Sequence, residues 1–479
     1  MTTLAIDVGS TNAKVGIVHD GTVVAHASTP VDTSTSGPDG AMEQDADQWW
    51  SAVSAAIRAL PADDRSSIDA VAVTGQMQDL LCIGADGRPV RSVVLYSDTR
   101  AAAEADELGT EVDGWADEVG RPPDATSVGA KWRWLQRHEP QTVAATDVVV
   151  FGGAAEIVRR LTGVARCDHT VASTTGLYHA TDRRWWDPII STLQLPASPL
   201  DDGRPHAVNG AVADTLGLPT TARVVLAPGD AVATTLGIVG TSPDRPYAYL
   251  GTSGWVAAST TTMPTSNAFA LPGLRQDHWV AAAPMIAAGA TVDWARAVLL
   301  GDIDHDELDR LTSGVCAAAS GVLALPHLDG QRLPEADATA RVALVGMGRS
   351  TTRATIGAAV LEGVAHALRQ LTTLVAPGDG TDGELLVCGG GSRSDSWCQA
   401  IADVTGRTVI RTDDEHASLI GAALAADGAT APSVGSDNSF IPDAARHGCH
   451  QTVAPAFDDL GPALAPITAL LQAAAAQRR

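Results

Sequence analysis

The sequence predicts an α/β fold built from two related domains that face each other across a cleft. Three observations carry this. Apolar strands and an amphipathic helix alternate through the first 75 residues, the pattern of a largely parallel sheet. The same opening pattern restarts near residue 240. The chain, at 479 residues, is too long for one ordinary core. The expected division is 1–242 and 243–479, with a hinge at 241–244.

The first half opens on two hairpins. "LAIDVG" turns through Gly9, Ser10, Thr11 and Asn12 into "AKVGIV". "HDG" at 19–21 then turns into "TVVAHAS", and an Asp-Gly pair is a strong hairpin signal. "DADQWWSAVSAAIRAL" reads as a helix, with Asp45 and Gln48 as a capping box and Trp49, Val53 and Ile57 on one face. "IDAVAVTG" (68–75) reads as a buried strand. In the second half, "YAYLGTSGWVAAS" (247–259) is again strand, small-residue turn and strand. "GVLALP" (321–326) reads as a buried strand. A helix is expected over 351–375, with Ile356, Val360, Leu361, Val364 and Leu368 at helical spacing. "ELLVCGGGSRSDSWCQAIADVTG" gives strand, Gly loop and helix. The tail from Ala429, ending in "QRR", reads as a peripheral helix.

The formal charge is −24, and no basic block occurs. Nucleic acid and anionic membrane surfaces are therefore poor partners. An anionic ligand would depend on backbone amides and a metal ion. The six cysteines are scattered without a CxxC pair, which fits a reduced, cytoplasmic setting. No signal-like start is seen, and no stretch approaches the roughly 20 apolar residues of a membrane span. A homodimer is compatible with the sequence.

The chemistry gathers at three places. A turn of Gly, Ser and Thr makes an anion nest that needs no formal positive charge. Asp7, just before it, suits Mg²⁺ or a metal-bound water rather than phosphate. The plainer alternative is a polar hairpin in which Asp7 caps its own turn. Gly251, Thr252 and Ser253 repeat the nest. In "LAPGDAVATTLGIVG" (226–240) a strand ends in Pro228-Gly229 and Asp230 starts a helix, where α/β sheets place active sites. The helix dipole is expected to keep Asp230 ionised, so that it can accept a proton from a hydroxyl. An N-cap role is the alternative. The glycines of "VCGGGSRSDSW" allow close approach of a nucleoside, and no P-loop occurs. "HGCH" (447–450) carries metal-ligand side chains, with no second cluster at zinc-like spacing.

Taken in order, these segments resemble the FGGY carbohydrate kinase family, within the actin-like ATPase superfamily of paired ribonuclease-H-like domains. "IDVGSTNAKVGIV" and "LGTSGWVA" resemble its two phosphate motifs, and "APGDAVATTLGIVG" its catalytic-base motif. "TGQMQDLLCIGADGRPV" resembles its sugar segment, and "CGGGSRSDSWCQAIADVTGRTV" its adenosine loop. "GVLALPHLDGQRLPEADATARVALVGMG" followed by "TTRATIGAAVLEGVAHALRQ" resembles its C-terminal signature.

The resemblance implies transfer of a phosphoryl group from ATP, with Mg²⁺, to a sugar or polyol. The first domain would bind the sugar and the second the nucleotide. Asp230 would be the base, and Asp7 and Asp230 would hold the metal. Gly9, Ser10, Thr11, Asn12, Lys14, Gly251, Thr252, Ser253 and Gly289 would line the nucleotide phosphates, and Gly390, Gly391 and Ser394 the adenosine. Gln76, Met77, Gln78 and Asp168, with Asp230, would border the sugar. The sugar segment is most similar to that of xylulokinases, yet Gln78 and Asp79 stand where those have His and Gly. That departure predicts a best substrate other than D-xylulose: another ketopentose, a polyol or a sugar acid. A non-catalytic or structural actin-like protein is the alternative reading; the sugar segment together with Asp230 favours the kinase.

Overall fold

A computed structural model describes residues 1–479 except 36, 121, 244, 265–266, 377–382, 413–414, 428–437 and 477–479. Asp244 of the expected hinge, Ala429 at the start of the tail, and the closing "QRR" lie outside the described residues. The chain divides into two compact units. The first is Met1–Thr241 with Leu271–Trp279 and Glu415–Pro432; the second is Ser242–Ala270, Val280–Asp414 and Ser433–Arg479. Two segments of the second half thus fold with the first unit, and no local pattern announces them.

Among the described residues of the first unit, a six-stranded sheet runs in the order His206–Ala207, Arg223–Leu226, Ala70–Gly75, Thr2–Val8, Asn12–His19, Thr22–Pro30. Thr2–Val8 pairs antiparallel with Asn12–His19 and parallel with Ala70–Gly75. This register sets Asp7 opposite Lys14 on one side and Thr74 on the other. One face buries Leu4, Ile6, Val8, Val71 and Val73 against Trp49, Val53 and Ile57 of helix Ala46–Ala59. Asp45 caps that helix by accepting from the Asp47 amide, at 2.8 Å, and not through the expected box with Gln48.

The other face packs Ala5, Val18 and Ala72 against Leu419, Ala422 and Ala423 of helix Ala417–Asp427. That helix lies against helix Asp230–Val239 at backbone distance. A Cβ on Gly421 would sit 1.7 Å from the Ala233 carbonyl oxygen, so only glycine fits. The residues that hold Asp7 and Asp230 are therefore locked to one another through the sheet and this helix pair.

In the second unit, Gly254–Thr260, Pro246–Leu250, Glu384–Cys388 and Thr408–Arg411 are successive neighbours in one sheet. The first pair is an antiparallel hairpin and the remaining pairings are parallel. Helix Arg353–Val375 buries Val360, Leu361, Val364 and Leu368, and its first turn is capped by Thr352. Two expectations change here. Of 321–326 only Leu323–Leu325 is strand, and it pairs with Ala343–Val345 in a separate two-stranded sheet. Helix Ala444–Ala476 is not merely peripheral, because Phe457 is buried and stacks on His366 at 4.8 Å. All six cysteines are free. No helix among the described residues is long and apolar enough to cross a membrane.

Candidate active site

The 9–12 turn is held from behind by its carbonyls. The Gly9 amide donates to the Asn12 carbonyl at 3.0 Å. The Ser10 carbonyl accepts from Gln44 Nε2 at 2.6 Å and from Thr33 Oγ1 at 3.4 Å. The Thr11 carbonyl accepts from the Val31 amide at 2.9 Å. A trans peptide points its N–H opposite to its C=O. The amides of Thr11 and Asn12 therefore face away from these partners, and Thr11 is exposed.

Three carboxylates of the first unit, Asp7, Asp79 and Asp168, lie within electrostatic reach of a fourth, Asp230. Asp230 is the first residue of helix Asp230–Val239, with Gly229 in the cap position and no side-chain cap. Its loop is tied at two points. Thr74 Oγ1 donates to the Pro228 carbonyl at 2.6 Å, and the Gly229 amide donates to Asp168 Oδ1 at 3.2 Å. The expectation that the helix dipole keeps Asp230 ionised is overturned for the ligand-free chain. Burial, and next the charge of Asp7, push its pKa up to about 8 against the Ala231 amide; Asp79 and Asp168 push it further the same way. Burial also raises Asp7, while the Ser418 hydroxyl and Lys14 pull it down. That hydroxyl donates to Asp7 Oδ2 at 2.6 Å, whereas Oδ1 is enclosed with no partner. An enclosed, unpaired carboxylate oxygen beside a second carboxylate suits a hard divalent cation such as Mg²⁺.

Asp168 caps helix His169–Thr174 through the Val171 amide, and its Oδ2 is buried without a partner. Burial raises its pKa to about 7, against the Val171 and Gly229 amides. Asp79 accepts from the Tyr96 amide on Oδ1 at 2.9 Å, and its Oδ2 is likewise enclosed and unpaired. Burial raises it to about 7, opposed by the Tyr96 amide and by buried Lys131.

The 76–78 segment is oriented by one buried amide, Gln44. The indole of Trp49 can only donate, and it reaches Gln44 Oε1 at 2.7 Å. This fixes Gln44 Nε2 towards Ser10 and Thr33 Oγ1. Gln76 Nε2 then donates to the same Gln44 Oε1 at 3.0 Å, leaving Gln76 Oε1 buried and unpaired. Met77 packs on Gly229, where a Cβ would lie 2.4 Å from its sulfur. Gln78 adopts φ +68° and gives Nε2 to the Thr126 carbonyl at 2.9 Å.

In the second unit the 251–253 turn is also held by its carbonyls, here by backbone alone. Gly251 accepts from the Gly289 amide at 2.8 Å, and Thr252 from the Ala288 and Ala290 amides at 3.0 Å each. By the same peptide geometry the Thr252 and Ser253 amides face the other way. A Cβ on Gly289 would lie 2.5 Å from the Gly251 carbonyl oxygen. In the Gly loop, Gly389 has φ +86° and a Cβ on Gly391 would strike Trp397, while the Cα of Gly390 faces open space. The Ser394 hydroxyl donates to Asp309 at 2.6 Å and accepts from the Trp397 amide, capping helix Asp395–Thr405.

The structure thus groups Asp7, Gly9, Ser10, Thr11, Asn12, Lys14, Gln76, Met77, Gln78, Asp168 and Asp230 in the first unit. It groups Gly251, Thr252, Ser253, Gly289, Gly390, Gly391 and Ser394 in the second. Sequence reasoning missed Gln44, Thr74, Lys131 and Ser418, and named Asp79 only as a departure from the family pattern. Asp79 had a signal, as a carboxylate directly after Gln76, Met77 and Gln78. Ser418 had only an indirect one, the small-residue run "ASLIGAALAA" that signals a tight helix pair.

Residues 2–237 match the N-terminal domain model, and residues 247–429 the C-terminal domain model, of the FGGY family of carbohydrate kinases. The chain is 32% identical over 428 residues to the xylulose kinase of Streptomyces rubiginosus, covering 88% of this chain and 85% of that one. It is 28% identical over 488 residues to the xylulose kinase of Escherichia coli (strain K12), covering 97% and 100%. The structure of a xylulose kinase from Rhodospirillum rubrum superposes with a TM-score of 0.87 at 26% identity, covering 98% of this chain and 100% of that one.

Proposed function

Because the chain belongs to the FGGY family of carbohydrate kinases, we propose that this phosphotransferase moves the γ-phosphoryl group of ATP onto a hydroxyl of a ketopentose such as xylulose, or of a related polyol or sugar acid. The observation that carries the reading is Asp230: a carboxylate at a strand end, on a loop pinned by Thr74 and Asp168, beside Asp7. As the acceptor oxygen bonds to phosphorus, Asp230 takes its proton. The bond from the γ-phosphorus to the bridging oxygen breaks, and ADP leaves with that oxygen.

The amides of Thr11 and Asn12 in the first unit, and of Thr252 and Ser253 in the second, supply neutral donors for the phosphates. Such donors suit a chain of net charge −24. The open side of Gly390 leaves room for adenosine. Asp7 and Asp230 would hold Mg²⁺, which neutralises phosphate charge when bound. On the sugar side, the unpaired Gln76 Oε1 and Asp168 Oδ2 are acceptors for substrate hydroxyls, and Met77 forms an apolar wall. Residues 1–242 carry the sugar and base roles and one of the phosphate turns, and 243–479 carry the other phosphate turn and the adenosine loop. Six free cysteines support a reducing compartment such as the cytoplasm.

A coupled assay for ADP release over ketoses, pentitols, tetritols and aldonic acids tests the reading. At least one acceptor raises ADP release far above the acceptor-free rate, and omission of Mg²⁺ abolishes the rise. Failure of every acceptor to do so refutes it.

A further inference from the structure

The second unit contains a buried cluster that the kinase reading does not use. His450, from "HGCH", lies on helix Ala444–Ala476, Glu362 lies in the middle of helix Arg353–Val375, and Cys316 precedes the short turn Ala318–Ser320. A ligand atom from each of the three lies within 4.8 Å of the others. Cys316 Sγ is 3.8 Å from His450 Nε2. Two tetrahedral zinc ligands, one sulfur at about 2.3 Å and one nitrogen at about 2.0–2.1 Å from the metal, stand about 3.6 Å apart.

The surroundings hold the carboxylate in place and leave the imidazoles short of partners. Glu362 is 4% exposed and is aimed by the Ala317 and Ala318 amides, at 2.7 and 3.0 Å. His450 is 2% exposed, and its Nδ1 has no hydrogen-bond partner. His366, its ring centroid 5.3 Å from that of His450, has neither nitrogen paired. A cavity of about 390 Å³ touches both Glu362 and His450 and gives an entry path with room for solvent. The spacing within "HGCH" offers no hint of this, because the partners come from two distant segments.

We propose that Cys316, Glu362 and His450 bind one Zn²⁺ ion, with solvent as the fourth ligand, and that the ion clips the C-terminal helix to the core of the second unit. A sulfur, nitrogen and oxygen set of this kind favours Zn²⁺ over Mg²⁺. Burial keeps His450 neutral and Cys316 a thiol while the site is empty, lowering the first to about 4 and raising the second to about 11, and it raises Glu362 to about 7, where the carboxyl is about half protonated near neutral pH. Binding replaces the thiol proton, and the proton of any protonated carboxyl, with the metal and releases them to solvent. The resulting thiolate and carboxylate balance the charge of the ion.

The test uses the full chain, stripped with a chelator and titrated with Zn²⁺ against a chromophoric competitor. The wild type takes up about one tightly held zinc per chain and its Tm rises on binding. Cys316→Ser, a nearly isosteric change at a half-buried position, loses that zinc and the Tm rise while keeping kinase activity. His450→Gln does the same. Loaded with Co²⁺, the wild type shows a thiolate charge-transfer band that Cys316→Ser lacks, a readout that survives if His450→Gln folds poorly. His26→Gln, in an exposed His26, Glu415 and His416 group, leaves the band unchanged. No tight zinc in the wild type, or tight zinc retained in Cys316→Ser, overturns the proposal.

Discussion

The 9–12 turn and the 251–253 turn present the same kind of amide face by different means. In the first, the Ser10 carbonyl is drawn back by the Gln44 side chain, and one amide group serves Ser10, Thr33, Trp49 and Gln76 together. In the second, the amides of Ala288, Gly289 and Ala290 hold the carbonyls directly, at a distance that only glycine permits. The side-chain solution couples the 9–12 turn to the 76–78 segment through one buried group. The backbone solution couples its turn to the start of helix Gly289–Val298. The first turn should therefore fail together with sugar recognition, and the second should fail alone.

Gly289→Ala breaks the backbone arrangement and has the largest expected effect among the substitutions that test this contrast. The added methyl strikes a carbonyl oxygen that cannot yield without moving the turn. A displacement of about 1 Å at a positioning element costs roughly 10²-fold in rate, so kcat/KM for ATP falls by about that factor. Sugar binding, followed by calorimetry, stays near wild type. A normal KM for ATP would show that the 251–253 turn does not bind phosphate.

Gln44→Ala breaks the side-chain arrangement. It leaves the Trp49 indole and the Gln76 amide without their partner, at about 1–3 kcal/mol each in stability, and the Ser10 carbonyl with only the longer bond from Thr33 Oγ1. In the variant that remains folded, KM rises for ATP and for sugar together, by roughly tenfold each. Gln44→Glu keeps the acceptor that Trp49 and Gln76 need but loses the donor to Ser10. It restores sugar KM more than ATP KM. A change in only one KM for Gln44→Ala would separate the two functions assigned to this residue.

Gln78→His has the smallest effect and bears on specificity. Gln78 spends its Nε2 on the Thr126 carbonyl, and a shorter imidazole changes the reach and donor geometry at this position. The ratio of kcat/KM for D-xylulose to that for the best substrate shifts towards D-xylulose, by about tenfold or less. Wild-type kcat/KM already highest for D-xylulose across the panel would defeat this prediction.

What was legible in the sequence is local. Asp7 and Asp230 could be read because each stands at a strand end beside small residues, a pattern held within about ten positions. The strand, turn and helix of 384–405 were legible for the same reason. Gln44, Ser418 and Lys131 were not. The bond from Ser418 to Asp7 spans 411 positions, and no propensity encodes it. The state of Asp230 was misread because the helix dipole is a local feature, whereas burial and the charges of Asp7, Asp79 and Asp168 belong to the folded unit. "GVLALP" was read as a buried sheet strand from its apolar run, but periodicity alone does not say which sheet a strand joins.

The central claim, that Asp230 is the base, is tested most directly by the pH dependence of kcat/KM in wild type and Asp230→Asn. The base must be a carboxylate, and its pKa in the ligand-free protein is raised to about 8. Wild-type kcat/KM therefore falls as pH drops below that region, because the protonated form cannot accept the substrate proton. Added Mg²⁺ favours the charged carboxylate and moves this acid limb to lower pH. Asp230→Asn lowers kcat by roughly 10²–10⁴ and removes the limb. A variant that keeps more than about a tenth of wild-type kcat, or that retains the same acid limb, would contradict the account.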